Sequence, residues 1–209
     1  MTLIDLSRPI DNGIRIHPLD SPASLKQEQS LQHDGFNSFR LEIGLHTSTH
    51  IDSPMHMTDN KKYINEYDLN RFCGTGVLID VRDENIIRYK EKYNSTIQKD
   101  DIVIFYTRHS VKYNSDEYFT DHPVLDMEIA EFLVSKKIKM TGFDLPSPDR
   151  SPYLIHKKLL DNGIMIIENM MNLERLIDKK FEIFAFPLNI KADSSIVRAA
   201  AKILDSYYI

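Results

Sequence analysis

The chain has 209 residues, of which 42% are hydrophobic and 27% charged, with a formal net charge of -5 and a sequence pI of about 5.9. That is the composition of a soluble globule with a real core, and its mild acidity argues against nucleic acid as the main partner, which needs clustered positive charge. A lone cysteine, Cys73, excludes an internal disulfide framework and fits a reducing cytoplasm, where it packs as a small buried hydrophobe. No run reaches the ~18 apolar residues of a membrane helix, and the first thirteen residues lack the basic and apolar regions of a secretory signal.

In chain order, residues 1–10 predict a short strand ending at Pro9, then a turn at Asn12-Gly13 and a second extended piece over Ile14–Pro18. Between Phe36 and Leu45, the apolar Phe39, Leu41, Ile43 and Leu45 alternate with Arg40, Glu42 and Gly44, a period of two that predicts a half-buried strand. Gly76–Val81 and Asp101–Tyr106 read as buried strands. Leu125, Ile129, Phe132 and Leu133 share one face of a helix predicted over Pro123–Lys136. Lys139–Asp144 follows as a strand ending in a carboxylate. Ser151 as N-cap and Pro152 in the first helical position start a helix that runs through His156 to Asp161 and stops at Asn162-Gly163. Ile164–Ile167 is a buried strand ending at Glu168, Phe181–Pro187 a further strand, and Ser195–Tyr207 a last helix. Alternating strands and helices imply an α/β fold, with α+β the alternative, as one domain over residues 1–209 with a mixed sheet.

Chemistry is densest in His46-Thr-Ser-Thr-His50-Ile-Asp52-Ser-Pro54-Met-His56. If the alternation from Arg40 continues, His46, Ser48, His50 and Asp52 fall on one face of a strand, because side chains two apart point the same way. A helix would align His46 with His50 but turn Asp52 away. The β-branched Thr47, Thr49 and Ile51 favour the extended form. Pro54 then ends the ladder and sets His56 on a turn beside the others. Two imidazoles and a carboxylate suit Zn²⁺, Mn²⁺ or Fe²⁺, and three protein ligands with an open position make a catalytic rather than a structural site.

This stretch resembles the H-x-G-T-H-x-D-x-P-x-H signature of the cyclase-like metal-dependent hydrolases, a family that includes bacterial kynurenine formamidases and isatin hydrolases; Ser48 stands at the family glycine. The resemblance extends along most of the chain. Asp5-Leu6-Ser7 with Pro9-Ile10 is similar to the family's opening strand, and Thr141-Gly-Phe-Asp144 with Pro146-Ser147-Pro-Asp149 to its G-x-D-x-x-S-x-D segment. Ser195-Ile-Val-Arg198-Ala199 resembles its S-P-V-R-A run, and His17-Pro18-Leu19-Asp20 stands where formamidases have an aromatic residue, Pro, Gly and Asp. His156, twelve residues before Glu168, matches a helix His and a strand-end Glu that complete the family's metal site.

The resemblance implies a swivelling β/β/α fold. It implies that His46, His50 and Asp52 are the first metal ligands, His156 and Glu168 the second group, and His56 the catalytic histidine. The cofactor would be a divalent metal: one or two Zn²⁺ ions with the Asp shared, or one Mn²⁺. The activity would be amide hydrolysis by metal-activated water, with His56 shuttling the proton and N-formylkynurenine as the arylformamidase substrate. His17 and Ser48 would face the substrate, Ser48 from the ligand-bearing face. Polar His17 and the absence of Trp leave open another cyclic amide, lactam or ester, as in isatin hydrolases, or a metal-holding protein whose catalysis has lapsed. The family implies a cytoplasmic homodimer or homotetramer acting on a small molecule, with neither nucleic acid nor membrane as partner. His33, His109 and His122 receive no role, Lys61, Lys62 and the charges at 82–92 are solvated surface, and Met170-Met171 are core.

Overall fold

The computed structural model describes residues 2–18 and 20–204. Among these, thirteen strands form: β1 (Thr2–Asp5), β2 (Ser24–Gln29), β3 (Ser38–Glu42), β4 (His50–Asp52), β5 (Cys73–Asp80), β6 (Ile86–Ile87), β7 (Ile102–Tyr106), β8 (Val124–Leu125), β9 (Met140–Phe143), β10 (Met165–Glu168), β11 (Phe181–Phe184), β12 (Ser194–Ile196) and β13 (Ala200–Ile203). The helical segments are α1 (Leu31–Asp34), α2 (Tyr93–Thr96), α3 (Glu117–Thr120), α4 (Met127–Lys136) and α5 (Leu154–Asp161).

Nine strands make one mixed sheet in the order β1-β13-β11-β5-β7-β9-β10-β4-β12. The central β5, β7, β9 and β10 run parallel, and antiparallel strands flank them on both sides. The strand period of two sorts β7 between two cores. Ile102, Ile104 and Tyr106 join Met140, Ile167, Phe181 and Ile183 on one face. Val103 and Phe105 meet Phe143, Ile166 and the apolar sides of α4 and α5 on the other, including Ile129, Leu133, Leu159 and Leu160. Burial on both faces is why β7 reads as a continuous apolar run, as parallel strands covered on both sides do. Gly142 in β9 is where the packing is tightest: a Cβ there would lie 2.7 Å from Met170 Sδ and 2.8 Å from Ile104 Cδ1. Met170 is core, as expected, while Met171 is only half-buried.

The mixed α/β architecture matches the sequence reading, and three local expectations do not. The alternating strand of 36–45 does not run on to Asp52. β3 pairs with β2 in a separate two-stranded ribbon that leaves Phe39 and Leu41 exposed, and the chain turns between Gly44 and Thr49 before β4 begins. The predicted last helix is not formed over the described residues: Ser194–Ile196 and Ala200–Ile203 are strands, because their backbones pair with β4 and with β1 and β11; residues 205–207 lie outside the described part. Helix α5 starts at Leu154, past Ser151-Pro152, and the Asp149 carboxylate accepts from the backbone N–H of Ile155 at 2.6 Å in place of a Ser cap. Similarly, α4 starts at Met127 under the Asp126 side chain, while Val124–Leu125 pair with β6. Cys73 is half-buried at the start of β5 rather than fully packed. None of the described helices is long and apolar enough to cross a membrane.

Candidate active site

The sheet changes direction between parallel β10 and antiparallel β4, and the site lies there, beyond the carboxyl ends of the parallel strands, where α/β sheets place their ligands. Strand pairing sets Glu168 directly opposite His50. His50 and Asp52 share a face of β4, two residues apart. His46 reaches them from the preceding turn, so the convergence expected of a strand face is achieved by a loop. His56 sits on the 3₁₀ turn Pro54–His56, and His156 on α5 packs across from β10.

The candidate ligand atoms are close without being aligned on one another. His46 Nδ1 lies 2.8 Å from Asp52 Oδ1. His50 Nε2 lies 3.5 Å from the same oxygen and 3.4 Å from Glu168 Oε2. Yet neither Asp52 Oδ1 nor His50 Nε2, both buried, has a hydrogen-bond partner. A buried polar atom left unpaired costs about 1–3 kcal/mol, so such a pair needs an explanation. Lone pairs aimed at a shared cation supply one, and the imidazole and carboxylate donors fit Zn²⁺, Mn²⁺ or Fe²⁺. The donor atoms of His46, Asp52 and His56 lie within 4.8 Å of one another, as do those of His50, Asp52 and Glu168, so Asp52 belongs to both groups. His156 Nε2 is 3.1 Å from Glu168 Oε1 and 3.9 Å from Asp52 Oδ2.

Around these atoms lies a supporting layer. His50 Nδ1 faces the Ser48 carbonyl at 3.0 Å, which turns Nε2 inward. His156 Nδ1 is 2.6 Å from Asp149 Oδ1. Asp193, which sequence reasoning missed, has Oδ2 3.0 Å from both His46 Nε2 and His56 Nδ1. Its only trace in the sequence is its place two residues before the Ser195–Ala199 run.

These contacts set the electrostatics. At His46, burial opposes the charged ring, but the Asp52 and Asp193 carboxylates outweigh it and raise its pKa to about 11. At His156, burial is likewise outweighed, by hydrogen bonds to Asp149 and Glu168, which raise it to about 10. Burial raises Asp52, yet the charges of His50 and His46 hold it well below the usual carboxylate range. Hydrogen bonds from His46 and His56 hold Asp193 there too.

The ligand set opens onto a cavity of about 320 Å³ lined by His17, Phe119, His122, Arg150 and Tyr153 among others. His17 is one of the lining residues, its ring 5.5 Å from Phe119. His122, given no role from sequence, also lines the cavity, buried, with Nδ1 2.8 Å from the Pro123 carbonyl. His109 is buried with Nε2 3.0 Å from the Tyr118 carbonyl, and His33 is exposed on α1.

Ser48 does not face the site. Its hydroxyl donates to the Arg8 carbonyl at 3.1 Å, away from the cavity, because its φ of 63° places it in the left-handed region and turns the side chain outward. The family's glycine is thereby explained as a conformational requirement, since glycine adopts positive φ without steric cost. Asp144, at the end of β9, is also structural: it accepts from the Thr107 backbone N–H at 2.9 Å and hydroxyl at 2.7 Å, and burial raises its pKa.

Comparison with known proteins identifies the family of the chain. A family model named Cyclase, described as "Putative cyclase", matches residues 4–150. A kynurenine formamidase of Bacillus mycoides is 33% identical over 204 residues, 95% of this chain and 96% of its own. An isatin hydrolase of Ralstonia solanacearum superposes with a TM-score of 0.86 at 19% identity, over 96% of this chain and 91% of that one. A structure described as a potential metal-dependent hydrolase with cyclase activity gives 0.80 at 24% identity, over 96% of each chain. The chain belongs to the cyclase family.

Proposed function

We propose that the chain is a metal-dependent amidohydrolase of the arylformamidase kind, converting N-formylkynurenine to kynurenine and formate. The observation that carries this is the pair of unpaired, convergent donor atoms on His50 and Asp52, of which Asp52 lines a cavity with aromatic walls. The 33% identity with a kynurenine formamidase over nearly the whole chain supports the choice of substrate. The expected shortage of aromatic walls is met by Phe119 and Tyr153, which suit an aryl ring. Asp20 and Arg150 line the same cavity and offer opposite charges to an amino-acid head group.

In this reading His46, His50 and Asp52, with His156 and Glu168, hold one or two divalent ions, Zn²⁺ by preference and Mn²⁺ as the alternative. When bound, the ion supplies Lewis acidity and a water acidic enough to ionise near neutral pH. His56 Nε2 takes a proton from the attacking water and returns it to the aryl amine nitrogen as the formyl C–N bond breaks. The Asp193 carboxylate, 3.0 Å from His56 Nδ1, keeps that ring oriented, and the aromatic walls exclude water from the ring of the substrate. We also infer a cytoplasmic homodimer or homotetramer, a reading supported by the exposed Phe39 and Leu41 of the β2–β3 ribbon and testable by light scattering.

The test is metal analysis of the purified chain, then hydrolysis of N-formylkynurenine and of isatin with Zn²⁺ or Mn²⁺ added. His56→Ala should bind metal as the wild type does and lose on the order of 10²–10⁴-fold in turnover. Full activity in that variant removes the shuttle; turnover of isatin alone moves the substrate to the lactams.

A further inference from the structure

One carboxylate oxygen bridges two imidazoles that the hydrolase reading gives different tasks. Asp193 Oδ2 lies 3.0 Å from His46 Nε2 and 3.0 Å from His56 Nδ1, and the two rings sit 4.1 Å apart between centroids. An ionised carboxylate only accepts hydrogen bonds, so both ring nitrogens facing it carry hydrogen. A neutral imidazole has one N–H and one lone pair. In the neutral form, the one a metal ion binds, His46 then has its lone pair on Nδ1, the atom 2.8 Å from Asp52 Oδ1, and neutral His56 has its lone pair on Nε2.

The position of Asp193 does not depend on this carboxylate. Its carbonyl accepts from the backbone N–H of Ser53 at 3.0 Å and from the Ser53 hydroxyl at 2.7 Å. The next residue, Ser194, pairs with Asp52 in the β12–β4 ladder. The main chain is thus fixed beside the turn that bears His56, and the side chain reaches both rings from there.

We propose that Asp193 is a positioning residue that sets two tautomers with one oxygen: His46 with Nδ1 free to bind metal, and His56 with Nε2 free to accept a proton. The idea rests on the hydrolase reading for what His56 does, but not for which tautomer it holds. A free histidine side chain favours the Nε2–H tautomer, so the form imposed on His56 is the minor one and has an observable signature.

The experiment uses zinc-loaded protein labelled with ¹⁵N-histidine, as wild type, Asp193→Ala and Asp193→Asn. Long-range ¹H–¹⁵N correlation reads each tautomer, chelator competition reads zinc affinity, and steady-state kinetics read turnover. Wild type should show His56 as Nδ1–H. Asp193→Asn keeps an oxygen acceptor in place and should keep that tautomer. Asp193→Ala should switch His56 to Nε2–H, weaken zinc on the order of 10–100-fold, and lower kcat by roughly 10²-fold or more with KM little changed. An Asp193→Ala protein that retains Nδ1–H at His56 overturns the proposal, as does one with wild-type zinc affinity and kcat. If wild type hydrolyses no formamide, the substrate reading fails, while the tautomer and zinc measurements still decide the role of Asp193.

Discussion

Asp149 is the most informative residue to replace, because its two carboxylate oxygens do separable things. Oδ2 accepts from the backbone N–H of Ile155 at 2.6 Å and of His156 at 3.4 Å, capping α5. Oδ1 lies 2.6 Å from His156 Nδ1 and so directs that ring's Nε2 towards Glu168 and Asp52. Removing a side-chain cap costs roughly 0.5–2 kcal/mol, and a hydrogen bond to a charged group contributes about 1.5–3 kcal/mol. Since the two are coupled through one side chain, Asp149→Ala should lose about 3 kcal/mol, read by urea denaturation, with Tm lower by roughly 6–12 °C for a chain of this size. Asp149→Asn should separate the functions. If its oxygen caps the helix, its NH₂ faces His156 Nδ1, which must then accept and place the hydrogen on Nε2. That variant should keep most of the stability yet bind zinc on the order of 10–100-fold more weakly in chelator competition. An Asp149→Asn protein that binds zinc like the wild type would refute the assignment of Asp149 as the orienting partner of His156, and an Asp149→Ala protein within about 1 kcal/mol of the wild type would refute the cap.

Two further outcomes follow from the residues around the cavity. Burial lowers the pKa of His122 to about 4 from 6.5, against a hydrogen bond to the Pro123 carbonyl that raises it. The unfolded chain therefore takes up a proton here before the folded one does, and stability present above pH 6.5 is lost as the pH falls towards 4. His122→Gln should abolish about 2 kcal/mol of the stability that the wild type loses between about pH 7 and 5 in urea titrations; parallel losses in both proteins would show that His122 does not carry the effect. Ser48→Gly relieves a left-handed backbone, worth about 1–2 kcal/mol, and forfeits the hydroxyl bond to the Arg8 carbonyl, worth about 0.5–1.5 kcal/mol. Stability should change by less than about 1 kcal/mol and hydrolysis not at all, whereas a raised KM would show that the hydroxyl reaches substrate after all.

The residue types of the site were legible because chemistry restricts them. The His46–His56 stretch concentrates donors that few other purposes require, and the strand ending at Glu168 is announced by an apolar run that stops on a carboxylate. How the chain delivers them was less legible. The alternation over 36–45 is real, but it belongs to a ribbon exposed on both faces, and a period of two does not say what covers a strand. The positive φ of Ser48 breaks the alternation at the point where a single strand face needs it to continue, and serine carries no signal of that conformation. Near the C-terminus, small apolar residues such as Ala199–Ala201 suit a helix by propensity. Pairing with β1 on one side and β11 on the other overrides that preference.

Asp193 escaped notice, and Asp149 was seen only as part of a motif with no role, for a different reason: their importance lies in adjacency, which only the fold supplies. Ile51 in β4 is paired with Ile167 on one side and Ser195 on the other. Those two ladders place Glu168 opposite His50 and Ser194 opposite Asp52, which brings Asp193 beside Ser53. A slip of one residue in either ladder would send alternate side chains to the opposite face and break the site. Residues from near positions 50, 168 and 193 therefore meet only if a strand-pairing register is kept, and that register is held by buried contacts such as fully buried Ile51, Ile166 and Ile167 rather than by the donors themselves. The same register leaves His50 Nε2 and Asp52 Oδ1 buried and unpaired, a cost of about 1–3 kcal/mol per atom that the apolar contacts offset. The core thus holds the polar cluster in register, and the apolar residues of β4 and β10 are as necessary to the candidate metal site as its donor side chains.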